Sequence, residues 1–161
     1  MPNLKGEIMS QQVGKVDSEV EIKVSARAFY EVHTGRLYDS PKLCPHYIPR
    51  VDLVEGGWRD VGSVMDWYLL WEGKTVISKE IYEHKDDEKL SVTFRVIGGL
   101  LMEAFKSFKF IIQATPKDKG GCLVRWTLEY EKLKEDVPDP KEMLHFAADL
   151  TKEMDANLVG H

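Results

Sequence analysis

The segment KTVISKEIYEH, residues 74 to 84, sets Ser78, Glu80, Tyr82 and His84 two residues apart. On a strand that spacing puts all four on one face. If the face is buried, the Glu80 carboxyl is pushed up toward neutrality, because burial penalises its charged form. Such a group makes a useful general base. The competing expectation is an exposed Lys79–Glu80 pair, or a carboxylate fixed by Tyr82 or Arg95. In ARAFYEVH, residues 26 to 33, Phe29 and His33 stand four apart, which is one side of a helix. An imidazole on an apolar helix face can move protons near neutral pH. A hydrogen-bonded structural histidine is the alternative. Glu80 and His33 are thus the candidate catalytic residues.

Alternating aromatics could wall a cavity or simply fill a core. SVMDWYLLW (63 to 71) puts Met65, Trp67, Leu69 and Trp71 on one face. CLVRWTLEYEKL (122 to 133) does the same for Val124, Trp126, Leu128 and Tyr130, and AFKSFKFIIQAT (104 to 115) for Phe108, Phe110 and Ile112. The candidate ligand-contacting set is Phe29, Met65, Trp67, Leu69, Ser78, Tyr82, Arg95, Phe110, Trp126, Met143, Phe146 and Leu150.

Other chemistries find no support. EGGWRDVGS (55 to 63) spaces Gly57 and Gly62 like a phosphate loop, but Ser63-Val64 and a strand follow instead of Lys-Ser/Thr and a helix. It reads as a strand-to-strand loop whose glycines supply positive φ. His33, His46, His84, His145 and His161 show no HxH or HExxH spacing, so no metal site is expected. No GxSxG elbow and no coenzyme fingerprint occur, so no cofactor is expected. Cys44 and Cys122 belong to no CxxC pair and read as reduced thiols.

The elements that must position these residues follow from period and punctuation. VDSEVEIKV (16 to 24) alternates as a strand, and Ser25 can cap the helix after it. DSPKLCPHYIP, with Pro41, Pro45 and Pro49, allows only a short helix or turns. Strands separated by tight turns then form an antiparallel meander. From Pro140, Met143, Ala147, Leu150, Met154 and Leu158 recur at helical spacing, with His145, Asp149 and Lys152 on the wet side. The order is one strand, short helices, six more strands and a long helix. A single helix about 10 Å across does not fill a wide curved sheet, so a cavity between them is expected.

With 161 residues the chain is one domain's length. A loose extension is expected over residues 1 to 12 and a single domain over 13 to 161. The net charge of −5 argues against nucleic acid. No apolar run is long enough for a membrane span, and MPNLKGEIMSQQ lacks a secretory core. The expectation is a cytoplasmic monomer or weak homodimer.

Four stretches carry a resemblance: VDLVEGGWRDVGSV (51 to 64), EGKTVISKEIYEHKDDEKLSVTFRVIGG (72 to 99), KSFKFIIQATPK (106 to 117) and VRWTLEYEKLKEDVPDP (124 to 140). In this order the chain resembles the plant major latex proteins, within the birch-pollen-allergen superfamily of pathogenesis-related proteins. The likeness implies an α+β helix-grip fold. In it a seven-stranded curved antiparallel sheet wraps a long C-terminal helix, and two short helices close one end. It also implies a large cavity for apolar or amphipathic small molecules, such as steroid- or alkaloid-like plant metabolites, and a defence or stress role. Two departures stand out: His33 replaces a bulky apolar residue, and Gly98-Gly99-Leu100-Leu101 lacks the usual acidic residue. Norcoclaurine synthase, an alkaloid-forming enzyme of the superfamily, uses a Tyr, a Glu, a Lys and an Asp. Those positions hold Ser78, Glu80, Ser91 and Phe110 here. Only the Glu is kept, so the resemblance implies a carrier first. A cofactor-independent isomerase using Glu80 and His33 is the alternative.

Overall fold

The computed structural model describes residues 12–159, so the extension expected over residues 1 to 12 lies, but for its last residue, outside the described part. Seven antiparallel strands form one sheet in the order β1-β7-β6-β5-β4-β3-β2. They are β1 (Val13–Ile22), β2 (Arg50–Glu55), β3 (Val64–Trp71), β4 (Lys74–Asp86), β5 (Ser91–Gly99), β6 (Phe105–Pro116) and β7 (Cys122–Lys132). Helix α1 (Ala26–Gly35), a 3-10 turn (Leu37–Asp39) and the single-turn α2 (Ser40–Leu43) link β1 to β2. The long helix α3 (Lys141–Val159) follows β7.

Local sequence accounts for the joints. Ser25 accepts the Ala28 N–H at 3.0 Å and starts α1. Pro140, expected near the first turn of α3, immediately precedes it. Two polar side chains of α3 fasten it to the sheet. Asp155 accepts the backbone N–H groups of Lys23 and Val24 at 3.0–3.1 Å, where β1 ends. Thr151 accepts the Trp126 indole N–H at 2.8 Å and donates to the Ala147 carbonyl. Neither pin shows as a motif, because each joins positions far apart in the chain.

The core lies between the concave sheet face and α3, where Val92, Phe94 and Val96 of β5, Phe108 and Phe110 of β6, and Val124, Trp126 and Leu128 of β7 are all buried. The opposite parity faces water and carries ion pairs, among them Asp66–Lys79, Glu83–Arg95 and Glu83–Lys109.

The loop EGGWRDVGS is closed on itself. Ser63 Oγ accepts the Gly57 N–H and bonds the Gly57 and Asp60 carbonyls. The N–H groups of Asp60, Gly62 and Ser63 are spent on the carbonyls of Gly57, Tyr82 and Asp60. Gly56 and Gly62 sit at φ +86° and +98°, the positive values expected of them. A phosphate would find few donors left. Gly98 and Gly99, by contrast, are paired strand residues opposite Lys79 and Ser78. Gly99 has φ +95°, and a Cβ there would collide with the Ile77 carbonyl. Its glycine serves close approach at a kink.

Candidate functional site

Between the concave face and α3 lies an apolar pocket of about 70 Å3. The sheet contributes Trp67, Leu69, Glu80, Phe94, Phe110, Ile112 and Trp126 to its wall. Helix α3 contributes Met143, Phe146, Ala147, Leu150 and Met154, and the α1–β2 region His33, Leu37, Ser40 and Ile48. The large cavity implied by the resemblance is therefore mostly filled. Trp126 is fixed inward by Thr151, and edge-to-face rings at 5.5–6.2 Å take up much of the space, as in Phe110–Trp126, Trp67–Phe94 and Trp71–Phe146. An engineered apolar cavity of about 150 Å3 admits benzene. In this conformation the pocket holds less than that.

Glu80 is buried, with 7% of its surface exposed. Burial pushes its carboxyl up to about 7, outweighing the hydrogen bond from Ser78, which acts the other way. Ser78 Oγ donates to Oε2 at 2.7 Å, which leaves Oε1 without a protein partner among the described residues. The expected alternatives fail. Lys79 pairs with Asp66 on the outer face, and neither Tyr82 nor Arg95 bonds Glu80.

His33 is also buried, and desolvation lowers its ring to about 4, so it is neutral at pH 7. Its Nδ1 lies 3.0 Å from the Phe29 carbonyl. A carbonyl only accepts, so Nδ1 carries the proton and Nε2 is a free acceptor. The structural reading of His33 and its place on the pocket wall are both true at once.

Other candidates are sorted by position. Trp67, Leu69, Phe110, Trp126, Met143, Phe146 and Leu150 border the pocket. Phe29, Met65, Ser78 and Tyr82 are buried behind the wall: Phe29 packs on His33 at 4.6 Å, Tyr82 stacks on Phe94 at 5.1 Å, and Met65 pairs with Glu80. Trp67 Nε1 is fully buried in the wall without a partner. Arg95 must be corrected. Its neighbours Phe94 and Val96 point inward, so it points out and donates to Glu83 Oε1 at 2.9 Å. His84 also leaves the inner face, because a bulge between Tyr82 and His84 shifts the register. Leu37, Ser40, Ile48, Phe94, Ile112, Ala147 and Met154 join the wall without having been in the candidate set. Alternation could have found Phe94, and helical spacing Ala147 and Met154. Among the described residues, no three His, Cys, Asp or Glu side chains gather to hold a metal ion. No helix there is long and apolar enough to cross a membrane.

The model of the pathogenesis-related protein Bet v 1 family matches residues 11–161. The chain belongs to the Bet v 1 family. Within it the likeness is to the major latex proteins. MLP-like protein 43 of Arabidopsis thaliana is 41% identical over 93% of this chain and 96% of its own length. Major latex protein 146 of Papaver somniferum is 32% identical over 93% of this chain and 94% of its own. MLP-like protein 28 of Arabidopsis thaliana is longer, and the chain spans 45% of it. Among solved structures, ginseng major latex-like protein 151 from Panax ginseng superposes with a TM-score of 0.87 at 36% identity, covering 91% of this chain and 97% of that one. Truncated norcoclaurine synthase from Thalictrum flavum shares the Bet v 1 fold, with a TM-score of 0.72 at 21% identity.

Proposed function

We propose that the protein binds and carries small apolar or amphipathic molecules between sheet and α3, as a cytoplasmic member of a plant's defence or specialised metabolism. The observation that carries this reading is the apolar, aromatic pocket wall, interrupted among the described residues by Glu80, His33 and Ser40. A metabolite larger than the 70 Å3 void requires side chains to move. The best placed are Met143 and Phe146. Met143 borders both the pocket and an outer groove of about 530 Å3 between residues 100–105 and 137–143. Methionine is unbranched and repacks readily. Phe146 is only half-buried. Ligands would pass from the groove past Met143 into the pocket. The probe is N-phenyl-1-naphthylamine, a neutral dye whose fluorescence rises in apolar sites. Trp67→Ala and the pocket-filling Ala147→Leu should each weaken its binding by about tenfold, some 1.4 kcal/mol. Unchanged affinity in both variants sinks the reading.

One observation favours a second reading. A carboxyl near pH 7 with one free oxygen on an apolar wall is poised as a general base. It would remove a proton from carbon next to a carbonyl and return it further along the conjugated system. Turnover of an enone that Glu80→Gln abolishes while dye binding persists would favour this isomerase reading.

A further inference from the structure

The chain enters the described fold beside the outer groove. The Gln12 side-chain amide donates to the Lys132 and Leu133 carbonyls at 2.9 and 3.4 Å. The Leu133 N–H in turn donates to the Ala104 carbonyl at 3.0 Å, and Ala104 lines the groove with Leu100, Leu101, Phe105 and Val137. Val13 and Leu133 leave apolar surface exposed at this entry point. The groove rim carries Glu103, Asp139 and Glu142 against one lysine, Lys141. Asp139 is taken by Lys132 and Tyr130, whereas Glu103 and Glu142 are exposed and make no ion pair among the described residues. Eleven residues, MPNLKGEIMSQ, precede Gln12. Such a length spans roughly 16 Å even at helical rise, and more if extended. Met1, Leu4 and Ile8 recur at three and four residues, the spacing of one helix face, and Lys5 stands beside Leu4.

We propose that residues 1–11 fold back into the groove of the same chain and cover the route past Met143, with Met1, Leu4 and Ile8 on the apolar floor and Lys5 against Glu103 or Glu142. Three arguments favour this occupant over a separate partner. The segment is tethered beside the groove wall, so its effective concentration there is about millimolar before any contact is counted. Its apolar residues gain by leaving water, and the groove of about 530 Å3 offers them apolar walls. Its lysine meets two acids that lack a partner among the described residues. Docking has a consequence for traffic, and that consequence alone rests on the carrier reading. Met143 borders both groove and pocket, so a ligand must wait for the segment to leave. The segment covers the route without entering the pocket. It therefore slows entry and exit by the same factor and leaves the affinity unchanged.

A bimane label on Asn3→Cys reads docking, because contact with tryptophan quenches it and Trp71 lines the groove. Cys44 and Cys122 are buried, so the label goes to the new thiol. The labelled chain should be dim. Trp71→Phe should brighten it, and so should the double change Leu4→Asp and Ile8→Asp, which lies outside the described fold and spares its core. Stopped-flow binding of N-phenyl-1-naphthylamine reads traffic. In the double variant its association and dissociation rates should both rise about fivefold at constant affinity, the factor expected if the groove is open about one-fifth of the time. Equal brightness with and without the two aspartates overturns the proposal, as do unchanged dye rates. Quenching that grows with protein concentration assigns the groove to the segment of a second copy and overturns it too. If the dye binds none of these proteins while the quenching behaves as expected, the carrier reading falls and the docked segment stands.

Discussion

Glu80 and Glu83 lie three residues apart on β4, and the two faces of the sheet treat them oppositely. On the concave face, burial raises Glu80 to about 7. On the convex face, partial burial also pushes Glu83 upward, but bonds from Lys109 at 3.1 Å and Arg95 at 2.9 Å outweigh it and hold the carboxyl below its ordinary value. Parity along the strand decides which environment each meets. The concave face has surrendered solvation for packing, and burial there pushes the Glu80 carboxyl toward its neutral form. The convex face keeps its charges by pairing them in water.

The contrast is broken most severely by truncation. Trp126→Ala removes a buried ring and the bond to Thr151, and should cost about 3–5 kcal/mol. Arg95→Ala, which removes a half-exposed ion pair, should cost below about 1 kcal/mol and matter less as salt rises. Urea unfolding of both variants checks this. Similar losses would mean the faces differ less in packing than their burial indicates.

A subtler change sharpens the comparison at alkaline pH. The folded pKa of Glu80 is about 7 against an ordinary 4.5. Ionising it in the folded protein therefore costs on the order of 3 kcal/mol once the pH exceeds both values. Glu80→Gln should raise stability at pH 8 by up to roughly that much and change it little at pH 4. Glu83→Gln should do the reverse in sign and be smaller, because it loses a partnered carboxylate. Denaturant midpoints at the two pH values decide, and a Glu80→Gln gain independent of pH would deny the buried acid.

Period alone made much of this visible. Trp67, Phe110 and Trp126 face inward because strand side chains alternate, whatever the distant packing. Arg95 was legible by the same rule, since Phe94 and Val96 flank it; the expectation that it meets ligand ignored that parity. His84 was not legible, because a one-residue bulge leaves no mark in composition. Leu37 and Ile48 lie in the proline-marked stretch, where no period exists and tertiary contacts alone choose the inward side. The pocket's size was the least legible property. It is the small remainder left when rings from sheet and helix interlock, and pattern fixes direction without fixing fit.

The smallest expected effect is a flat line. Between pH 4.5 and about 7, folded Glu80 keeps a proton that the unfolded chain has lost, so its contribution to stability falls as pH rises. Between about 4 and 6.5, unfolded His33 holds a proton that the folded ring refuses, so its contribution rises with pH. The windows overlap from 4.5 to 6.5, and there the two slopes, each about 1.4 kcal/mol per pH unit, cancel. The paired carboxylates outside, Glu83 among them, titrate below their ordinary values and act at lower pH. Unfolding free energies at pH 5 and pH 6 should thus nearly coincide in the parent. Glu80→Gln should climb between them and His33→Asn should descend, because each variant leaves one slope uncompensated. A parent that climbs as steeply as Glu80→Gln would show that Glu80 already ionises in the folded protein, and the concave face would then differ from the convex one in packing alone.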